Sequence, residues 1–132
     1  MAWIYRNPNS LGKHTGDCVI RAISIATNQS WDDTFREVTE EAFNRAEMPS
    51  WNSNWWSYIE KLGFRRHIIS DTCPDCYTVK DFCYEHPYGT YILFIPNTGQ
   101  GTGHVVTVKN GDYYDIWDSG NEVPLAYWSK EG

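Results

Sequence analysis

Three residues carry the most legible chemistry in this chain: Cys18 opening a helical stretch, His104 opening a strand, and Asp118 closing the next strand. A thiol at a helix N-terminus, followed far downstream by an imidazole and then a carboxylate on neighbouring strands, has the residue types and order of a Cys-His-Asp triad. That combination points to nucleophilic thiol chemistry. Gly16-Asp17 precedes the cysteine, so the sulfur sits beside unpaired backbone N–H groups and the positive end of a helix dipole, a setting that stabilises a thiolate. A cysteine taken alone reads as a small apolar core residue. The Gly-Asp turn and the matching His and Asp reverse that preference.

Which carboxylate meets His104 depends on hairpin register. Strands over 105–109 and 113–117 flank Asn110-Gly111. A two-residue loop sets His104 opposite Trp117, with Asp115 as the fallback partner. A three-residue loop, Asn110-Gly111-Asp112, sets Val106 opposite Ile116 and His104 opposite Asp118. The longer loop is the expectation, because it gathers Val106, Val108 and Ile116 on one inward face and ends on an imidazole–carboxylate pair.

Around these groups the sequence supplies a helical first half and a strand-rich second half. The first seventeen residues, with Asn7-Pro8-Asn9-Ser10 and Gly12, read as an extended, turn-rich arm. Cys18 to about Thr27 is apolar on nearly every side, as a buried helix is, with Asp17 or Thr15 as its cap. A second helix follows Ser30, capped by that hydroxyl with Asp33 reaching back, and runs through Trp31, Phe35, Val38 and Phe43. A third spans about Asn54 to Leu62 and stops at Gly63. Phe64 to Ile69 reads as a strand, Thr78 caps a short helix ending before Pro87, and Thr90–Ile95 is a buried strand. The glycine-rich stretch from Pro96 to Gly103 lacks the ending of a phosphate loop and reads instead as a loop beside a cleft. Helices first and antiparallel sheet second make an α+β fold, one domain over 1–132.

At 132 residues the chain can bury one real core. Its 11 Lys and Arg against 17 Asp and Glu give a formal charge of −6, without the basic stripe that nucleic acid or an anionic membrane surface requires. No apolar run approaches the roughly 20 residues of a membrane span, and the start Met1-Ala2-Trp3-Ile4-Tyr5-Arg6 lacks the features of a secretion signal. The expectations are a cytoplasmic protein, no nucleic-acid or membrane partner, and no cofactor. In that compartment the four cysteines are expected to be free thiols or metal ligands rather than disulfides. The seven tryptophans read as core or groove rim. Arg21, one turn after Cys18, is a candidate for a buried ion pair supporting the site.

Taken together, Gly16-Asp17-Cys18-Val19-Ile20-Arg21-Ala22, Ser30-Trp31-Asp32-Asp33, His86-Pro87-Tyr88-Gly89-Thr90-Tyr91-Ile92, Gly103-His104-Val105-Val106 and Tyr114-Asp115-Ile116-Trp117-Asp118-Ser119-Gly120 resemble a group of small papain-like cysteine peptidase-fold proteins of bacteria and their phages. The resemblance runs from about Asn7 to Gly120. It implies a papain-like fold, Cys18 as nucleophile, His104 as general base and acid, and Asp118 as the residue orienting His104. Papain-like enzymes usually carry a Gln before the nucleophile as oxyanion donor; Gly12 stands at that spacing here. The Cys18 backbone N–H remains available, with Asn7 or Asn9 as candidate side-chain donors.

A second constellation is Cys73-Pro74-Asp75-Cys76 with Cys83 and His86, whose thiolates and imidazole could close a tetrahedral zinc site. The spacing between the pairs is short for a zinc finger, and Cys83 falls on the apolar face of its helix. A loop with two thiols and one buried cysteine is the preferred reading. The expected activity is a thiol hydrolase acting on a protein or peptide substrate. The alternatives are a deamidase or acyltransferase using the same triad, or a catalytically silent binding module, in a phage setting one that acts on a host factor.

Overall fold

The computed structural model describes residues 2–70, 76–96 and 103–130. Within the arm, Trp3–Tyr5 forms a short strand, β1. The next elements are helices α1 (Cys18–Thr27), α2 (Trp31–Arg45) and α3 (Asn52–Lys61), then strand β2 (Phe64–Ile68) and helix α4 (Val79–Glu85). Strands β3 (Thr90–Ile95), β4 (His104–Lys109), β5 (Asp112–Asp115) and β6 (Ala126–Lys130) complete the chain. Among the described residues the fold is α+β, with four helices and one six-stranded sheet in the order β1-β5-β4-β3-β6-β2. Among the described residues no helix is long and apolar enough to cross a membrane.

Two features of the sheet depart from the sequence reading. It is mixed rather than antiparallel, because β1 pairs in parallel with β5. Helices also cover both of its faces. Val19, Ile20 and Ile23 of α1, with Val38, Trp55 and Ile59, pack on Phe64, Ile92, Val105 and Trp128. On the other face Val79, Phe82 and Cys83 of α4 pack on Leu93, Ile95, Val106, Val108 and Tyr113. β4 lies between these two cores and is buried from His104 to Val108.

Local chemistry explains most element boundaries. The Ser30 hydroxyl accepts from Asp33 N–H at 3.1 Å to start α2, without the expected return bond from Asp33. Thr78 and Asp81 close a reciprocal capping box on α4. α2 buries Thr34, Val38, Glu41 and Ala42, so Phe35 and Phe43 lie on its solvent side. α3 begins two residues earlier than expected, at Asn52, whose Oδ1 accepts from the Trp55 indole at 3.1 Å.

The hairpin corrects the register. Lys109 pairs with Asp112, Val108 with Tyr113 and Thr107 with Tyr114, so the loop is the two residues Asn110-Gly111. Both have positive φ, 50° and 81°, the pair of left-handed residues that a type I′ turn needs. One apolar face favours the three-residue loop, but β4 is buried on both faces, so its pattern cannot fix the register.

Candidate functional site

Cys18 is the first residue of α1, with Asp17 at the cap position. The Asp17 carboxylate does not cap the helix; it turns to Arg21, Asn9 and Trp31. Among the described residues no side chain caps this turn, and the first-turn N–H groups present positive potential to the sulfur. β4 runs alongside α1, where the Thr107 hydroxyl donates to the Ala22 carbonyl at 2.6 Å. This packing brings His104, at the head of β4, beside Cys18, and the two line the same groove.

The carboxylate that His104 meets is Asp115, not Asp118. His104 Nε2 lies 2.6 Å from Asp115 Oδ2, with both side chains buried. Asp115 is itself held from several sides. Its Oδ2 accepts from the Ser119 hydroxyl at 2.8 Å, and its Oδ1 accepts from Ile116 N–H at 2.8 Å and lies 3.7 Å from Arg21 Nη2. Its backbone carbonyl accepts from the Trp3 indole and from Arg6 N–H, both at 3.1 Å. The unread strand β1 is therefore part of what fixes this carboxylate. The Trp117 ring packs on the imidazole with centroids 4.8 Å apart, the neighbour that a two-residue loop predicts.

Asp118 does a different job. Its Oδ1 accepts from the Tyr113 hydroxyl at 2.5 Å and from Gly120 N–H at 3.1 Å, closing the turn that follows β5. The expected side-chain oxyanion donors are also engaged elsewhere. Asn7 Nδ2 donates to the Lys13 carbonyl at 3.1 Å, and Asn9 Nδ2 to Asp17 at 3.2 Å. These bonds shape the arm rather than reach the thiol. Arg21 is buried, as its spacing suggested, and bridges Asp17 and Asp115.

The electrostatics favour an ion pair. Burial alone would raise the Cys18 thiol, but the hydrogen bond and charge of His104, the Val105 backbone N–H and the charge of Arg21 outweigh it and lower the thiol below its ordinary value. Burial pulls the imidazole down, and the Asp115 bond, the Cys18 bond and their charges overcome it, raising His104 to about 9.

A groove passes over this pair. A section of about 570 Å³ is lined by His14, Cys18, Arg21, His104, Ile116 and Trp117. A second, of about 390 Å³, adds Ser50, Asn52, Phe94 and Pro96 beside Cys18 and His104. Asn52 was not read from the sequence. Its Oδ1 is held by Trp55, and among the described residues its Nδ2 has no partner, so the groove has a side-chain donor there. The helix start at Asn52, just after the Pro49-Ser50 turn, was the available signal.

The zinc reading does not assemble. Cys76 is disulfide-bonded, against the expectation of free thiols, and its partner lies outside the described residues. Cys83 is buried in the second core, and burial pushes its thiol up to about 12. His86 stacks on Phe82 with centroids 3.8 Å apart, and its Nδ1 lies 2.9 Å from the Phe82 carbonyl, a structural role at the end of α4. Cys73 lies outside the described residues, as does the glycine-rich loop except Pro96 and Gly103. Among the described residues no three metal-binding side chains cluster. No family model matches the chain, and neither a curated protein nor a solved structure shows significant similarity to it.

Proposed function

We propose that the chain is a papain-like thiol hydrolase that cleaves a peptide or isopeptide bond, with Cys18 as nucleophile, His104 as proton carrier and Asp115 orienting His104. One observation carries this reading: a half-buried thiol beside an imidazole that is itself hydrogen-bonded to a buried carboxylate, set under an open groove. In such a site the thiolate adds to the substrate carbonyl, and the developing oxyanion meets the Cys18 N–H and Asn52 Nδ2. The C–N bond breaks as His104 gives its proton to the departing amine, leaving a thioester on Cys18. Water, deprotonated by His104, then attacks the thioester, the acid product leaves, and the thiolate–imidazolium pair is restored.

The test is incubation of the protein and its Cys18→Ala and Asn52→Ala variants with a mixed peptide library, read by mass spectrometry. Cleavage by wild type, none by Cys18→Ala, and a roughly hundredfold loss in turnover for Asn52→Ala are expected. Conversion of Gln to Glu in uncut peptides would move the assignment to a deamidase with the same triad. Binding without any conversion would favour the silent binding module, a reading that the engagement of Asn7 and Asn9 away from the thiol keeps in play.

A further inference from the structure

The sheet ends on β2, whose outer edge has no partner strand among the described residues. The antiparallel ladder with β6 sets which backbone groups are left over. Ile69 N–H donates to the Leu125 carbonyl at 2.8 Å, one step past the pairing of Ile68 with Ala126, so Ile69, His67 and Arg65 turn their backbone groups toward β6. Arg66 and Ile68 turn theirs outward. An edge of this kind is a template for one more strand.

The side chains narrow what that strand is. Arg65 and Arg66 are both exposed, and among the described residues neither pairs with a carboxylate, although the chain carries a net charge of −6. They lie on opposite faces of the sheet. Arg66 shares the face of Phe64, which packs with Trp55 and Ile59 of α3, and its guanidinium sits 5.0 Å from the centre of the Trp56 ring. Ile68, next along that face, is 66% exposed. Charges on an edge strand commonly keep edges apart, and they do so here for a second copy of the chain. β2 has no acidic residue, so two copies paired edge to edge would bring cations to cations. Protection alone does not account for an exposed isoleucine, nor for a guanidinium already held in place over an indole, which lowers the cost of ordering it when something binds.

We infer that the outer edge of β2 takes up an extended acidic segment of a partner protein as one further strand of the sheet. In antiparallel register the segment sets an apolar residue opposite Ile68 and two consecutive acidic residues opposite Arg66 and Arg65, one for each face, and exchanges backbone hydrogen bonds with Arg66 and Ile68. The docking needs nothing from Cys18. Its test is fluorescence anisotropy of a short fluorescein-labelled peptide with the core Ile-Thr-Glu-Glu. Wild type is expected to bind it about tenfold or more tightly than the same peptide with Lys in place of both Glu. N-methylation of the Ile and first Glu amides, which face the edge, should weaken binding by about tenfold, and N-methylation of the Thr and second Glu amides, which face away, by less than about threefold. In the double variant Arg65→Glu, Arg66→Glu the order should reverse, with the Lys peptide binding better, a gain that an unfolded variant cannot give. Equal binding of the two peptides by wild type, or binding of neither, would overturn the proposal. So would equal losses from the two methylation patterns, which would mean charge attraction without a strand. A deoxythymidine oligonucleotide that displaces the Glu peptide as well as unlabelled peptide does would overturn it too, by assigning the edge to polyanions at large.

Discussion

Asp115→Asn is expected to lower turnover about a hundredfold or more, whereas Asp118→Asn leaves it near wild type. The difference follows from contacts. Asp115 Oδ2 is 2.6 Å from His104 Nε2 and fixes the ring beside Cys18, while Asp118 holds Tyr113 and Gly120. An asparagine at 115 removes the charge that stabilises imidazolium and presents the ring with an amide of ambiguous polarity. An NMR titration of His104 gives a direct check. Its pKa, raised to about 9, should fall in Asp115→Asn and hold in Asp118→Asn. The sign for stability runs the same way. Because the folded imidazole titrates above the ~6.5 of a free one, its contribution is fully present below that value and is lost as pH rises through about 9. Asp118→Asn should instead cost roughly 1 kcal/mol at any neutral pH, through the weakened Tyr113 bond. Equal losses of turnover in the two variants would contradict the assignment.

The largest loss of stability is expected from Arg21→Met, about 3–5 kcal/mol by urea unfolding. The Arg21 side chain is 6% exposed and its guanidinium lies between the carboxylates of Asp17 and Asp115. Methionine keeps much of the side-chain volume but removes the cation that pairs with the buried Asp17 and leaves Asp115 to His104 alone. Asp17→Asn in the same background should recover part of the loss, because it removes the carboxylate charge left without its cation. A cost below about 1 kcal/mol for Arg21→Met, the range of a solvent-screened pair, would show that the cluster is open to water.

Local signals made much of this arrangement readable from sequence, and long-range pairing made the rest unreadable. The start of α1 at Cys18, the Ser30 cap and the Thr78 cap each depend on residues within one helical turn. Arg21 could be placed because helical spacing fixes its direction relative to Cys18. Asp115 could not be chosen over Asp118 from alternation, since β4 is covered by α1 on one face and by α4 on the other. The decisive local signal is the Asn110-Gly111 pair, whose ready left-handed φ values select a two-residue turn. β1 is three residues long and gains its place only by pairing with β5. β6 was missed although Ala126 and Trp128 alternate with the less buried Tyr127 and Ser129; it lies between β3 and β2, a position nothing in its own five residues announces.

The central claim is that Cys18 and His104 form a thiolate–imidazolium pair, and the pH dependence of Cys18 alkylation by iodoacetamide tests it most directly. With the thiol lowered and the imidazole raised to about 9, the pair is charged between those two values. Alkylation should therefore be fast near pH 6, fall only as acid protonates the sulfur, and give an apparent pKa well below the ~8.5 of a free thiol. In His104→Ala the imidazolium is gone while burial still opposes the anion, so the apparent pKa should return to the free-thiol value or above it. A wild-type profile resembling free cysteine and unchanged by His104→Ala would contradict the account.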